Sequence, residues 1–277
     1  MLSTIFKNKP IVDDISKEWI FDTFAWCTAQ LNNDIFNKNS DLIVSKNIFP
    51  PQNIGSAEFT TETIFANTLK YTGMTAWPIK LVAADSFTQK PMPKILFEKG
   101  IDGAHRGVNN LSINLLNNQK SASSIEIPFH PSQLNQPEEL IAYLVHNQAS
   151  ILLEQHSIDS PGRIENLAKT IDLVACFMGF GIIFANTAGQ HEDDCGSLLL
   201  NKNSKFKRQA ALTELETVYA LAIFSAIKCS DIKKVKAELK THLFKPFHKA
   251  CKEVSLYLQQ TDNPVHMLQT VNKAIAV

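Results

Sequence analysis

Residues 125–153 read IEIPFHPSQLNQPEELIAYLVHNQASILL, and the change from strand to helix inside this stretch decides the fold class. Ile125 to Phe129 reads as a short strand, set off by a Ser- and Asn-containing stretch before it. A Pro- and Asn-containing turn follows. Leu140, Ile141, Leu144, Val145 and Leu152 then recur at three- and four-residue spacing, the stripe of an amphipathic helix. Pro137 suits a first helical turn, and Asn135 with Glu138 has the spacing of an N-cap and N3 pair.

Upstream of this switch the chain is mixed. Residues 15–31, ISKEWIFDTFAWCTAQL, place Trp19, Phe24 and Trp26 at loosely helical spacing. Residues 37–56 are rich in Asn, Ser and Pro and read as a long connection. A helix is expected from Ala57 to about Tyr71, stopped near Gly73. Strands are expected at Ile79–Ala84, Ile95–Glu98, Leu111–Leu116 and Ile125–Phe129. Downstream every segment reads as helix. Ser160-Pro161 is expected to open a helix running to about Asn186. Thr213 with Glu216 forms a capping box, and Ser230 or Asp231 opens a further helix that Pro246 must kink or break. Asn263-Pro264 is a last helix start. Strands first and helices afterwards define an α+β fold: a single domain over 1–277, with a small mixed sheet in a mixed part over 1–134 and a helical part over 135–277.

The composition sets further bounds. The chain has 277 residues, 44% of them hydrophobic, enough for a sizeable core. Lys+Arg and Asp+Glu both number 27, and a zero balance argues against a general nucleic-acid or anionic-membrane binder. Lys202, Lys205, Lys207 and Arg208 form one local run, which reads as a solvated loop. The five cysteines, Cys27, Cys176, Cys195, Cys229 and Cys251, are odd in number and include no C-x-x-C pair. That pattern fits reduced thiols in the cytoplasm. The opening MLSTIFKNKPIVDDIS is too short in its apolar stretch for a signal peptide. Leu173–Ala185 is the most apolar segment. It falls short of the roughly 20 residues of a membrane span and reads as a buried core helix.

Chemistry is concentrated on the 140–153 helix. A zinc peptidase helix needs two His four residues apart, which project from one face toward one ion. It also needs a Glu directly after the first His, as general base on the metal-bound water. Here His146 stands at the first His position, Asn147 at the Glu position and Ser150 at the second His position. An amide cannot take a proton from water, and a neutral hydroxyl is a poor zinc ligand. Taken by itself, a lone His on a helix is a hydrogen-bonded structural residue.

Four segments carry a resemblance to a family. IPFHPSQLNQPEELIAYLVHNQASILL (127–153) resembles a stretch of uncharacterised bacterial zincin-like proteins, in which a strand and a Pro-containing turn lead into a helix with an intact H-E-x-x-H. TIDLVACFMGFGIIFANTA (170–188) is similar to that family's next helix, with its Thr-Asp-Leu start, Gly-x-Gly and Ala-Asn. AALTELETVYALAIF (210–224) looks like the following helix, with Ala210-Ala211 in place of the family's Gly-Tyr. YTGMTAWPIKLVA (71–83) resembles its N-terminal region. The resemblance implies a zincin-like fold and places Asp172 near the metal position, as a third ligand or as a contact to a ligand.

Three readings follow. In the first, the chain is a catalytically inactive zincin-like protein, with His146, Asn147, Ser150 and Asp172 as ancestral site positions. It then has no catalytic residues, no metal and no cofactor, and a binding or scaffolding role toward a protein or peptide. In the second, it is a metal-dependent hydrolase rebuilt around His146 and Asp172, with Asn147 or the His191–Cys195 acidic loop supplying ligands. In the third, it is a plain structural or interaction protein. Gly179 and Gly181 are not a nucleotide loop, since no strand precedes them and the third Gly is absent. Close packing of a neighbouring helix is their expected reason. His146 and Asp172 are expected to meet across two packed helices.

Overall fold

The computed structural model describes residues 9–31, 36, 41–49, 57–93, 95–96, 106–107, 114–115, 124–156, 160–162, 165–189 and 207–259. Two helical segments in it are buried on every side. One is residues 170–187, within a continuous run of α5 (Leu167–Ala175), a π-turn (Cys176–Phe180) and α6 (Gly181–Ala188). The other is α7 (Glu214–Ile227), buried without a break from Glu216 to Ser225. A helix with no polar face has to be enclosed by others. The enclosing helices are α1 (Asp14–Gln30), α4 (Pro137–Gln155) and α9 (Phe244–Leu258), and α3 (Ala57–Thr72) packs on α4. Short helices α2 (Ser45–Ile48) and α8 (Ile232–Glu238) complete the described set. Thr187, Thr217 and Ser225 donate their hydroxyls to carbonyls one turn back, of Ile183, Thr213 and Leu221, and so need no water.

The strand expectations fall on β1 (Ile79–Ala83), β2 (Ile95–Leu96), β3 (Asn114–Leu115) and β4 (Ile125–Phe129). They pair two by two. β1 and β4 are parallel, with Ile79 opposite Ile125 and Ala83 opposite Phe129, and β2 and β3 are antiparallel. The α+β class holds. The Tyr143 hydroxyl donates to the Pro128 carbonyl at 2.8 Å, which fixes α4 against β4. Gln148 bridges α4 to α3 inside the core through Thr68 and Thr72, at 2.7 and 3.0 Å.

Local signals succeed where the interaction is local. Gly73 ends α3 at φ 73°. Thr213 and Glu216 form the expected reciprocal cap, and Asp231 caps α8. They fail where a competing arrangement wins. Asn135 does not cap α4, because residues Pro131–Asn135 are taken up in a 3₁₀ turn capped by His130; Pro137 is nonetheless the first helical residue. The helix expected from Ser160-Pro161 starts at Leu167, since the Pro161 carbonyl accepts from the Trp19 indole at 3.1 Å and holds that segment against α1. The expected break at Pro246 falls earlier, at Leu239 and Lys240, which are extended; Pro246 itself sits in the first turn of α9, where a missing N–H costs nothing. The connection expected over 37–56 contains the short α2. The Asn263-Pro264 helix start lies outside the described residues.

The α5–α6 run is longer than the apolar segment alone suggests. It covers 22 residues, Leu167–Ala188, and by length and composition could cross a membrane. Its apolar window is 83% buried within the protein, as in a core helix.

Gly179 makes that burial possible. Its φ of 102° falls in the π-turn, and its carbonyl accepts from Ile43 N–H at 2.9 Å. A Cβ there would lie 2.4 Å from the Asp41 carbonyl oxygen. The neighbour that demands glycine here is therefore an extended segment, residues 41–44, and not a helix. At Gly181 the neighbour is the expected helix: a Cβ would meet Leu221 of α7 at 3.0 Å. Around this point Phe177 stacks on Phe36 at 4.5 Å and meets Phe24 edge-on at 6.0 Å. Gly179→Ala adds a backbone clash to a left-handed φ. It should lower unfolding free energy by about 2–3 kcal/mol, read as a drop in urea midpoint at unchanged m-value. Gly181→Ala, at a helical φ against a side chain, should cost less.

Candidate functional site

α4 presents His146, Asn147 and Ser150 from successive positions of one turn. Each is partly buried, His146 retaining 23% side-chain exposure. α5 packs on α4 and brings up Asp172 from the middle of its buried face, 1% exposed. His146 Nδ1 and Asp172 Oδ1 meet at 3.0 Å, well inside one helix diameter. With the carboxyl ionised, Nδ1 must carry the proton. That fixes the tautomer and leaves the lone pair of a neutral ring on Nε2, facing away from Asp172. Asp172 thus contacts His146 on the ring edge opposite Nε2.

The second oxygen of Asp172 is occupied by donors from one tight segment. It accepts from Arg208 Nη1 at 2.9 Å and from the backbone N–H groups of Ala211 at 2.8 Å and Leu212 at 3.2 Å. Arg208 also donates through Nη2 to the Phe184 carbonyl and to Thr187 Oγ1, at 3.2 and 2.9 Å. Its guanidinium lies 4.3 Å from the centre of the Phe184 ring. One carboxylate thus ties α4, the α5–α6 run and the lead-in to α7 together. The cap of α7 continues the network, with Glu216 accepting from Lys169 at 2.8 Å.

Arg208 corrects the reading of the 202–208 run as a solvated loop, for it is 3% exposed. Two signals in the sequence point to it. It is the one arginine of the run, the cation suited to buried pairing. It also lies beside an apolar lead-in, while Asp172 sits in the apolar part of a helix and therefore needs a cation. Lys202 and Lys205 lie outside the described residues.

Burial by itself would raise the Asp172 carboxyl. The His146 hydrogen bond, then the Arg208 charge, His146's own charge and the Ala211 N–H outweigh it and hold the group below its usual 3.8. Burial, with the Asp172 charge one turn away, pushes the Cys176 thiol up, and burial does the same to Cys27. Neither is a reactive thiolate at neutral pH. Asn147 turns its amide back along its own helix to donate to the Tyr143 carbonyl at 2.8 Å. The Tyr143 phenol is pushed up to about 12 by burial, so it does not supply a base either.

The remaining candidates do not join this cluster. His156 caps the C-terminus of α4 and meets Trp26 edge-on at 5.6 Å, and His130 caps the preceding 3₁₀ turn. The His191–Cys195 loop lies outside the described residues. Among the described residues, no three His, Cys, Asp or Glu side chains are grouped so as to hold a metal ion. Comparisons with protein-family models, with curated proteins and with solved structures found no match.

The arrangement makes a strong demand on charge. Asp172→Asn keeps the shape but leaves the Arg208 cation buried without its anion. It should cost about 3–5 kcal/mol at pH 7, read by denaturant unfolding. His146→Ala removes one donor of four and should cost about 1 kcal/mol. Because the folded carboxyl titrates below its unfolded value, its stabilisation is present above pH 3.8 and is lost as pH falls through the lower folded value. The stability gap between wild type and Asp172→Asn should hold from pH 7 to pH 5 and close only below pH 3.8.

Proposed function

We propose that this chain is a catalytically inactive zincin-like protein, in which the metal helix has become a structural strut, and that its present role is binding or scaffolding. The occupation of Asp172 carries the reading. An aspartate that serves a zinc site keeps its charge directed at the metal or at a metal-bound His. Here that charge is neutralised by a buried guanidinium at 2.9 Å, which opposes a divalent cation nearby. The substituted positions agree with this. Asn147 offers an amide where a proton acceptor is needed, and Ser150 a neutral hydroxyl where a second imidazole is needed.

The alternative, a metal-dependent hydrolase rebuilt around His146 and Asp172, has one observation on its side: the Asp172 bond orients His146 and leaves Nε2 able to ligate. An ion held there would find no companion ligands grouped around it among the described residues. A catalytic zinc site needs three protein ligands.

Protein purified without chelator should carry no stoichiometric zinc and show no chelator-sensitive peptide hydrolysis. Asn147→Glu with Ser150→His restores a base and a second imidazole on the face that already holds an oriented His146. The double variant should gain weak zinc uptake, measured by elemental analysis after dialysis, and lose it when His146→Ala is added. Chelator-sensitive turnover by the unmodified protein, abolished by His146→Ala, would overturn the proposal.

A further inference from the structure

The β1–β4 ladder leaves one edge of each strand outside the pairing. Its register sets Ile79 opposite Ile125, and the Ile125 N–H donates to the Pro78 carbonyl at 2.7 Å. Along a parallel pair, the N–H and C=O of alternate residues face the neighbouring strand. Lys80 and Val82 therefore turn their backbone groups to β4, and Ile79, Leu81 and Ala83 turn theirs outward. On β4 the outward residues are Glu126 and Pro128. That edge is blunted, since Pro128 has no N–H and its carbonyl accepts from Tyr143.

The outer edge of β1 carries a particular set of open groups. The Ile79 N–H is committed to the Trp77 carbonyl at 2.8 Å, and the Ala83 carbonyl accepts from Ser86 Oγ at 2.9 Å. Among the described residues nothing bonds the N–H groups of Leu81 and Ala83 or the carbonyls of Ile79 and Leu81. Ala83 is exposed and Leu81 half-buried. This set is self-complementary. About a two-fold axis at Leu81, an antiparallel copy of the strand sets Leu81 against the partner's Leu81 and Ala83 against the partner's Ile79. Every open N–H then meets an open carbonyl. The groups already committed, Ile79 N–H and Ala83 C=O, are the ones that this register would set against each other.

The side chains accept the same register. Ile79 and Leu81 lie on the face shared with buried Ile125 and Ile127, so the two Leu81 side chains meet at the rim of that apolar layer. On the opposite face Lys80, paired with Glu126 at 3.3 Å, stands across from the partner's Val82, and no like charges oppose each other. A two-stranded ladder is marginal by itself and gains from added strands.

We propose that the outer edge of β1 is the contact for a second copy of this chain, the two β1 strands joining antiparallel about Leu81 into one sheet of order β4–β1–β1–β4. The mode is strand addition, and the two-fold axis closes it at two copies. The contact uses none of His146, Asp172 and Arg208, so it does not rest on the reading of α4.

Sedimentation velocity on the full chain tests this. The contact is small, so the chain should be monomeric at about 1 µM and substantially dimeric at about 100 µM. Ala83→Pro removes an outward donor at a residue whose φ of −61° already suits proline, so the fold of the single copy is kept. It deletes both bonds between Ala83 and the partner's Ile79 and should weaken dimerisation by about tenfold or more. Val82 reads the register through the partner's Lys80: Val82→Glu should tighten the dimer and Val82→Lys loosen it, each by about threefold at low salt. Circular dichroism and thermal melting identify the variants that fold as the wild type does, and the Val82 pair decides if Ala83→Pro does not. The proposal is overturned if the wild type stays monomeric at about 100 µM, or if folded Ala83→Pro dimerises as tightly as wild type. It is equally overturned if the two Val82 variants shift the equilibrium in the same direction.

Discussion

A carboxylate 1% exposed among apolar helices is costly unless its lone pairs are matched, and in this protein the matching of Asp172 fixes how the helices sit. Its four donors come from His146 on α4, from Arg208, and from the backbone of Ala211 and Leu212 just before α7. None of these contacts tolerates a shift of α4 or of the α7 lead-in by even part of a turn. The apolar surfaces of α5, α6 and α7 would pack in more than one register, since packing of that kind is non-directional. A charged network supplies the direction. Arg208 extends it by bonding Phe184 and Thr187, so both halves of the long buried run are referred to one point.

The π-turn is the second constraint, and it acts on shape. Gly179 lets the chain segment 41–44 come within hydrogen-bonding distance of the helix backbone, so the irregular part of the N-terminal region is anchored in the middle of the core. The same run would serve, by length, as a membrane span. What makes it a core helix is its company: Phe24, Phe36, Phe177 and Phe224 fill the space around it, and α7 crosses close enough to require Gly181. Through Ile43 the π-turn also positions Leu42 and Val44, which line a groove beside α8.

A degenerate metal helix and a structural strut are compatible descriptions of α4 under the reading proposed above. In both, a His is held by an Asp from the next helix. The difference lies in what faces the Asp from its other side. A cation that belongs to the protein makes the arrangement self-sufficient, and the site then has no electrostatic need of an ion. Selection on such a helix shifts from chemistry to packing, consistent with Gln148 and Tyr143 serving as bridges to α3 and β4.

The sequence by itself determined the elements whose causes are local. The switch from strand to helix between Phe129 and Leu140 gave the α+β division, Gly73 the end of α3, and Thr213 with Glu216 the start of α7. In each, the interacting groups lie within a few residues of one another, so their spacing carries the information. The closeness of Asn147 and Ser150 to His146 was equally legible, because helix geometry places residues one and four positions apart next to one another. The tertiary structure decided the rest. Arg208 differs from the lysines before it in side-chain type, but only the arrival of Asp172 from 36 residues away turns it inward. Asn135 lost its cap to a 3₁₀ turn, and Ser160-Pro161 lost its helix to Trp19, through contacts that spacing cannot register. The pairing of four short strands into two ladders, and the groove between residues 42–47 and α8, likewise depend on chain segments far apart in sequence. Their relative placement is set by packing of the buried helices, a property of the whole core and of no single stretch within it.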